Sequence, residues 1–311
     1  SGGEPFMWSD NGKTIYDIFA KHKNQYFQVY TNGTFLNKEN VRRLAETGNV
    51  APAISVEGFR KETDARRGEG VYDRVLQGFE NLREAGVPFG ISTTPTRENA
   101  ELLVSDEFVD FYFKEQKALF GWEFQYMPIG RDINFDLMVT PEQRLHMYKR
   151  SRYIMEEKGY AYCDFWNNGY LSNGCIAAGR KGGYLVIDWN GNVLPCVFMP
   201  YYTVNINDIY KNGGDMETAR QTGFFKDVRK WQKDYGYLQP REMVKNRLMP
   251  CPMRDHHQET YEILKKNNAK PADKYAGEAL SSDQYHEQLA DYNEKVSTLL
   301  DPVWESDFKK H

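Results

Sequence analysis

Apolar positions in the first half of the chain fall into short runs separated by amphipathic stretches. Residues 26–31 (YFQVYT) are aromatic and β-branched and stop at Asn32-Gly33, so they read as a strand followed by a turn. A short helix is expected over 37–46. Residues 50–57 (VAPAISVE) read as a second, buried strand. Over 71–85, Val71, Val75, Leu76, Phe79, Leu82 and Ala85 share one face at helical spacing. Residues 88–94 (PFGISTT) read as a third strand, 98–119 as mostly helical, and 122–129 (WEFQYMPI) as a fourth strand. Thr140 followed by Pro141 opens a helix that runs to about residue 158, threonine as cap and proline in the first turn. Strands separated by helices imply parallel βα units. Functional residues of such sheets gather at the strands' C-terminal ends. The candidates there are Gly3 and Glu4, Thr31 and Asn32, Ser55 and Glu57, Thr93 and Thr94, and Pro128 to Arg131.

The pattern changes near residue 160. Two apolar runs, 184–188 and 193–197, flank Trp189-Asn190-Gly191-Asn192, and Asn-Gly between apolar runs is a hairpin signal. Helices are expected over 224–234, 255–266 and 283–300, with a linker over 270–277. No internal repeat or low-complexity tract is visible.

Composition narrows the possibilities. The chain has 311 residues, 40% hydrophobic and 14% aromatic, with a net charge of -4. That is a globular balance for one large or two smaller domains, and it argues against a dedicated nucleic-acid binder. No apolar run approaches the roughly 20 residues of a membrane span. With four cysteines, Cys163, Cys175, Cys196 and Cys251, and no secretory signal, metal or cluster ligation is expected over disulfides, in a cytoplasmic protein.

Two motifs carry chemistry. Ser1-Gly2-Gly3-Glu4-Pro5 combines glycines that allow close backbone approach with a carboxylate able to accept from a cationic amine. Fifteen residues separate Cys175 from Gly191 and four separate Gly191 from Cys196, while Cys251 sits in Pro250-Cys251-Pro252. A hairpin can fold Cys196 back toward Cys175, and three converging thiolates suit an iron–sulfur cluster or zinc; the alternative is three buried structural cysteines. Cys163, among Tyr160, Tyr162, Phe165 and Trp166, reads as core. His256-His257 and the pairs Arg60-Lys61 and Arg66-Arg67 read as surface. Asn32-Gly33-Thr34 is a formal glycosylation sequon that a strand end makes implausible, and 179–183 (GRKGG) lacks the strand-to-helix context of a phosphate loop. A metal-dependent barrel hydrolase would need histidines at strand ends, where none of His22, His146, His256, His257, His286 and His311 lies.

Together these residues resemble the radical S-adenosylmethionine (radical SAM) family, in the version with a C-terminal auxiliary-cluster domain of the SPASM/twitch kind. The resemblance implies that Gly2, Gly3, Glu4 and Pro5 form the family's GGEP motif, which holds the amino group of SAM at the end of the second barrel strand. It implies that Thr31 and Asn32 end the third strand, and that Ser55 and Glu57 end the fourth, near the SAM ribose and carboxylate. Met127, Ile129 and Arg131 would lie at the sixth strand's end, near the adenine. Cys175, Cys196 and Cys251 would hold an auxiliary [4Fe-4S] cluster, with Cys163, Asp255, His256, His257 or an open position completing it. The family's CxxxCxxC loop, ligand to a second [4Fe-4S] cluster, lies upstream of GGEP, and this chain has no cysteine before Cys163.

The fold implied is α/β: a partial (β/α)6 barrel lacking its first βα unit (1–159), a small hairpin-plus-helix auxiliary-cluster domain (160–268) and a C-terminal helical tail (269–311). Without the second barrel strand, 26–31 would expose an edge, so an aggregation-prone chain is expected. The implied activity of the complete protein is hydrogen abstraction by a 5′-deoxyadenosyl radical. Its substrate would be a peptide, a protein side chain or a small molecule, with flavodoxin or ferredoxin as electron donor and neither nucleic acid nor membrane as partner. This chain alone should not cleave SAM. The competing reading is a non-catalytic scaffold, a degenerate barrel with structural zinc.

Overall fold

Five strands pair in parallel in sequential order: β1 (Phe27–Thr31), β2 (Val50–Ser55), β3 (Gly90–Thr93), β4 (Phe120–Glu123) and β5 (Tyr162–Asp164). This is a computed structural model that describes residues 2–309, so Ser1 of the opening motif and His311 lie outside the described residues. The register matches Thr31 with Ile54, Ser55 with Ser92, Thr93 with Glu123, and Glu123 with Asp164. The strand ends that carry polar residues are therefore aligned along one rim. Helix α1 (Lys38–Thr47) starts where the Asn37 side chain accepts from the Asn40 N–H and stops at Gly48, whose φ is 69°. Helix α2 (Arg60–Arg67) follows β2. Helix α3 (Val71–Glu84) buries Val75, Phe79 and Leu82, and Phe79 stacks on Phe89 with 5.0 Å between ring centroids.

The chain divides into two compact units: residues up to Tyr126 with His146–Phe165, and Met127–Leu145 with Trp166 onward. The expected fourth strand over 122–129 instead runs Phe120–Glu123. Beyond it the Phe124 and Tyr126 N–H groups still bond to the Thr93 and Pro95 carbonyls, so pairing fades into irregular chain before Pro128. The region after 160 supplies one more sheet strand, because buried Tyr162 packs over Gly121, where a side chain would collide with its ring. Helix α4 (Pro141–Glu156) opens as expected: the Thr140 hydroxyl accepts from the Gln143 N–H, and the Gln143 side chain accepts from the Thr140 N–H.

In the second unit β6 (Val186–Ile187) and β7 (Val193–Leu194) form the expected hairpin. Residues 270–277 are not a linker: β8 (Tyr201–Tyr202) pairs with β9 (Lys270–Pro271), and Lys274–Leu280 is helical, capped by Asp273. Helices α5 (Gly223–Asp234), α6 (His257–Lys266) and α7 (Asp283–Trp304) complete the unit. The expected tail is in fact core, since α7 buries Tyr285, Leu289, Tyr292, Val296, Leu300 and Trp304 at helical spacing. Among the described residues no helix is long and apolar enough to cross a membrane.

Candidate functional site

The rim of the sheet is organised by Glu4. Its Oε1 accepts from the Thr31 hydroxyl at 2.8 Å and the Phe6 N–H at 3.2 Å, and its Oε2 accepts from the Asn32 N–H at 2.8 Å. A carboxylate offers about four lone-pair sites, so this seat leaves room for one more donor. Gly2 and Gly3 are exposed and left-handed, with φ of 90° and 60°. Pro5 is buried and begins a short 3-10 turn capped by Glu4. The Asn32 side chain is occupied locally, accepting from the Thr34 N–H at 2.9 Å and hydroxyl at 2.7 Å. Gly2, Gly3, Glu4, Pro5, Thr31 and Asn32 are thus brought together.

Ser55 ends β2 half-buried, beside Ser92 in register. Glu57 is 1% exposed. Its Oε2 accepts from Arg66 at 2.8 Å and its Oε1 from Arg67 Nε at 3.0 Å. Arg66 is exposed, as expected, and Arg67 half-buried, and the two form a cationic edge over this carboxylate. Their positions on α2 become readable only once β2 places Glu57 beneath them. Arg60 does match the expectation, pairing with Asp73 at the surface. Met127, Ile129 and Arg131 fall in the second unit's first segment, where Met127 is buried, Ile129 half-buried and Arg131 exposed.

The sheet's two faces differ in chemistry. Tyr30, Trp122, Phe124 and Phe165 share one face half-exposed, with ring centroids 5.7 Å apart for Tyr30–Phe124 and 5.3 Å for Phe124–Phe165. The opposite face buries Glu123 completely, beside the Tyr162 hydroxyl. Burial, and then the Asp164 charge beside it, push the Glu123 carboxyl well above the usual range. Asp164 accepts from Gln125 at 2.6 Å, and the Tyr162 hydroxyl lies 2.9 Å from that of Thr93. No sequence signal marked Glu123, because its burial depends on β5.

Cys175, Cys196 and Cys251 are assembled by the second unit. The Tyr184 N–H bonds to the Ile176 carbonyl at 2.9 Å and the Ala178 N–H to that of Pro195 at 2.8 Å, which ties the Cys175 loop to the hairpin carrying Cys196. Buried Arg180 donates to the carbonyls of Ser172, Gly174 and Cys175 and stacks 4.0 Å from the Tyr237 ring centre. Asp188 closes the hairpin by accepting from the Asn190 and Asn192 N–H groups. Gly191 has φ 83°, and a side chain there would meet Asn207 at 2.6 Å.

Burial pushes the Cys175 thiol up to about 11, and Cys196 and Cys251 also rise. Cys175 is raised further by Cys251, and Cys196 by Cys175 and Cys251. Yet among the described residues no three His, Cys, Asp or Glu side chains converge tightly enough to grip a single ion. The donor set is soft, and its sulfurs receive hydrogen bonds: Ala177 N–H to Cys175 at 3.5 Å, Phe198 N–H to Cys196 at 3.4 Å. Such a soft thiol set is of the kind that binds an iron–sulfur cluster or zinc.

The residues considered for the remaining ligand position are occupied. Asp255 accepts from Arg144 at 2.6 and 2.9 Å and from Arg254 at 3.0 Å, all three side chains fully buried. Burial alone would raise Asp255; the two guanidinium charges outweigh it and hold the carboxyl well below the usual range. His256 and His257 are not surface groups. His256 Nε2 bonds to the Met249 carbonyl at 2.9 Å, and the two ring nitrogens of His257 lie 3.0 Å from the Met253 carbonyl and 2.6 Å from His286. Cys163 sits in β5, half-buried, its Sγ 3.6 Å from the Met155 sulfur. Burial, Glu123 and Asp164 push it up to about 11.

Residues 1–106 match the family model described as the Radical SAM superfamily. The mycofactocin maturase MftC of Mycobacterium tuberculosis (strain CDC 1551 / Oshkosh) is 28% identical over 238 residues, covering 74% of this chain and 60% of that protein. The AdoMet-dependent heme synthase of Nitratidesulfovibrio vulgaris is 25% identical over 276 residues, covering 79% and 71%. A solved chain described as native anSMEcpe with bound AdoMet and Cp18Cys peptide superposes with a TM-score of 0.61 at 17% identity, covering 97% of this chain and 85% of that one. This chain therefore spans about 60% of the length of the first curated relatives it matches.

Proposed function

We propose, from the match of residues 1–106 to the Radical SAM superfamily model, that the chain supplies the SAM-binding wall and an auxiliary [4Fe-4S] site of an enzyme that modifies a peptide or protein side chain. The observation that carries this reading is the seat of Glu4. Three donors fix its carboxylate across the start of the chain and the end of β1, with Gly2 and Gly3 exposed beside it. A cationic amine would meet the remaining lone pair of Glu4 and backbone groups of the two glycines. Arg66 and Arg67, held by Glu57 past the end of β2 and Ser55, would face the cofactor's carboxylate.

Cys175, Cys196 and Cys251 would hold the auxiliary cluster, which supplies an electron acceptor or a substrate contact when bound. Their thiols would release protons to solvent on binding it, since iron binds the thiolate. The half-exposed aromatic face of Tyr30, Trp122, Phe124 and Phe165 suits an apolar or aromatic side chain. The relatives include a mycofactocin maturase and heme synthases, and this uncharged face supports the peptide reading.

The test is SAM binding by the complete protein under anaerobic conditions. Glu4→Ala should weaken binding at least about tenfold, the effect of one charge-assisted hydrogen bond. Unchanged affinity in that variant would overturn the assignment of this wall.

A further inference from the structure

Two of the three cluster-ligand candidates meet a side-chain donor as well as a backbone one. The Tyr184 hydroxyl lies 2.8 Å from Cys196 Sγ, and Gln232 Nε2 lies 3.6 Å from Cys175 Sγ. A thiolate bound to iron can only accept, so in that state both groups must donate. Each donor is also held by bonds that do not involve sulfur. The Tyr184 backbone is tied to Ile176 and to Gly179 at 2.9 and 2.8 Å. Gln232 lies on α5 and gives the same nitrogen to the Ala177 carbonyl at 2.9 Å. Arg229, from the same helix, donates to the Ala178 carbonyl at 3.0 Å. Gln232 Oε1 is buried with no partner among the described residues. The amide is thus kept in the orientation that serves the sulfur at the expense of its own carbonyl.

We infer that Tyr184 and Gln232 set the reduction potential of the cluster held by Cys175, Cys196 and Cys251, an inference that rests on the auxiliary-cluster reading above. Donation to a ligating sulfur draws negative charge off the cluster. It stabilises the reduced state, which carries one more electron, over the oxidised state, and so raises the potential. Both residues are positioning residues: they act through the ligating sulfurs.

The chain contains no CxxxCxxC motif, so a cluster reconstituted in it reports on this site. The experiment is an anaerobic redox titration of the reconstituted chain, followed by electron paramagnetic resonance, for wild type, Tyr184→Phe and Gln232→Met. Both variants should titrate at lower potential. At the wild-type midpoint the reduced-to-oxidised ratio should fall by about three- to tenfold, tenfold being about 59 mV for one electron, and the double variant should fall further than either. Variants that bind a full cluster and titrate with wild type overturn the inference. So do variants that take up no iron where wild type does, because the donors would then be struts and not tuning groups. A wild-type chain that takes up no iron overturns the cluster reading itself, and the inference with it.

Discussion

Arg144→Met removes the guanidinium at the centre of the network beside Cys251. The buried Arg144 guanidinium donates to Asn167 Oδ1 at 3.0 Å, to the two Asp255 oxygens at 2.6 and 2.9 Å, and to the Leu248 carbonyl at 2.8 Å. Methionine fills much of the volume and supplies no donor. Asp255 is then left buried with Arg254 as its remaining charged partner among those seen here. Breaking one side of a buried ion pair costs about 3–5 kcal/mol, a large fraction of a typical stability of about 5–15 kcal/mol. With an m-value of about 2–3 kcal/mol/M, the urea midpoint should fall by about 1–2 M. The loop through Cys251 should loosen with it, and Cys251 should react faster with a thiol reagent. The pH dependence identifies the cause. In wild type the Asp255 carboxyl is depressed, so its stability contribution is present above the ordinary carboxylate range and lost only in strong acid. In the variant burial dominates and the carboxyl can protonate. The gap between the two proteins should therefore narrow as pH falls from about 7 to 4. A gap that stays constant over that range, or a midpoint equal to wild type, would refute the electrostatic argument.

Other substitutions probe the sheet and the hairpin. Burial raises Glu123 above its unfolded value, so its contribution is fully present below the ordinary carboxylate range and lost as pH rises through the folded value. Glu123→Gln should flatten that decline in denaturation midpoints measured across pH, and an undiminished decline would point to another group. Gly191→Ala places a methyl group 2.6 Å from Asn207 at φ 83°. The left-handed backbone alone costs about 1–2 kcal/mol, and with the clash the unfolding free energy from denaturant titration should drop by at least that much. Gly3→Ala meets open space but takes the same left-handed backbone cost at φ 60°; SAM affinity should weaken, with a stability loss smaller than that of Gly191→Ala because no clash is added.

What could be read from the chain was local. The β-branched runs of β1 to β3, the face of α3, the Thr140–Pro141 cap and the Asn190-Gly191 turn all follow from residues within a turn or a strand's length. The Cys175–Gly191–Cys196 spacing was legible for the same reason. Features that depend on distant partners were not. β5 (Tyr162–Asp164) looks like an aromatic stretch until Gly121 leaves space for Tyr162. Lys270–Pro271 reads as linker until Tyr201–Tyr202 offers a pairing edge. Arg67 looks solvated until Glu57 lies beneath it, and His256 and His257 look exposed until the Met249 and Met253 carbonyls meet their rings. Asp255 was a plausible ligand only while Arg144, 111 residues earlier, was out of view.

Cys175, Cys196 and Cys251 are the proposed ligands of an iron–sulfur cluster. The decisive measurement is of iron, acid-labile sulfide and zinc on the anaerobically reconstituted chain, beside a variant with all three cysteines changed to alanine. Iron and sulfide in equal amounts are expected in wild type and neither in the variant; stoichiometric zinc without iron, or iron retained by the variant, would overturn the assignment.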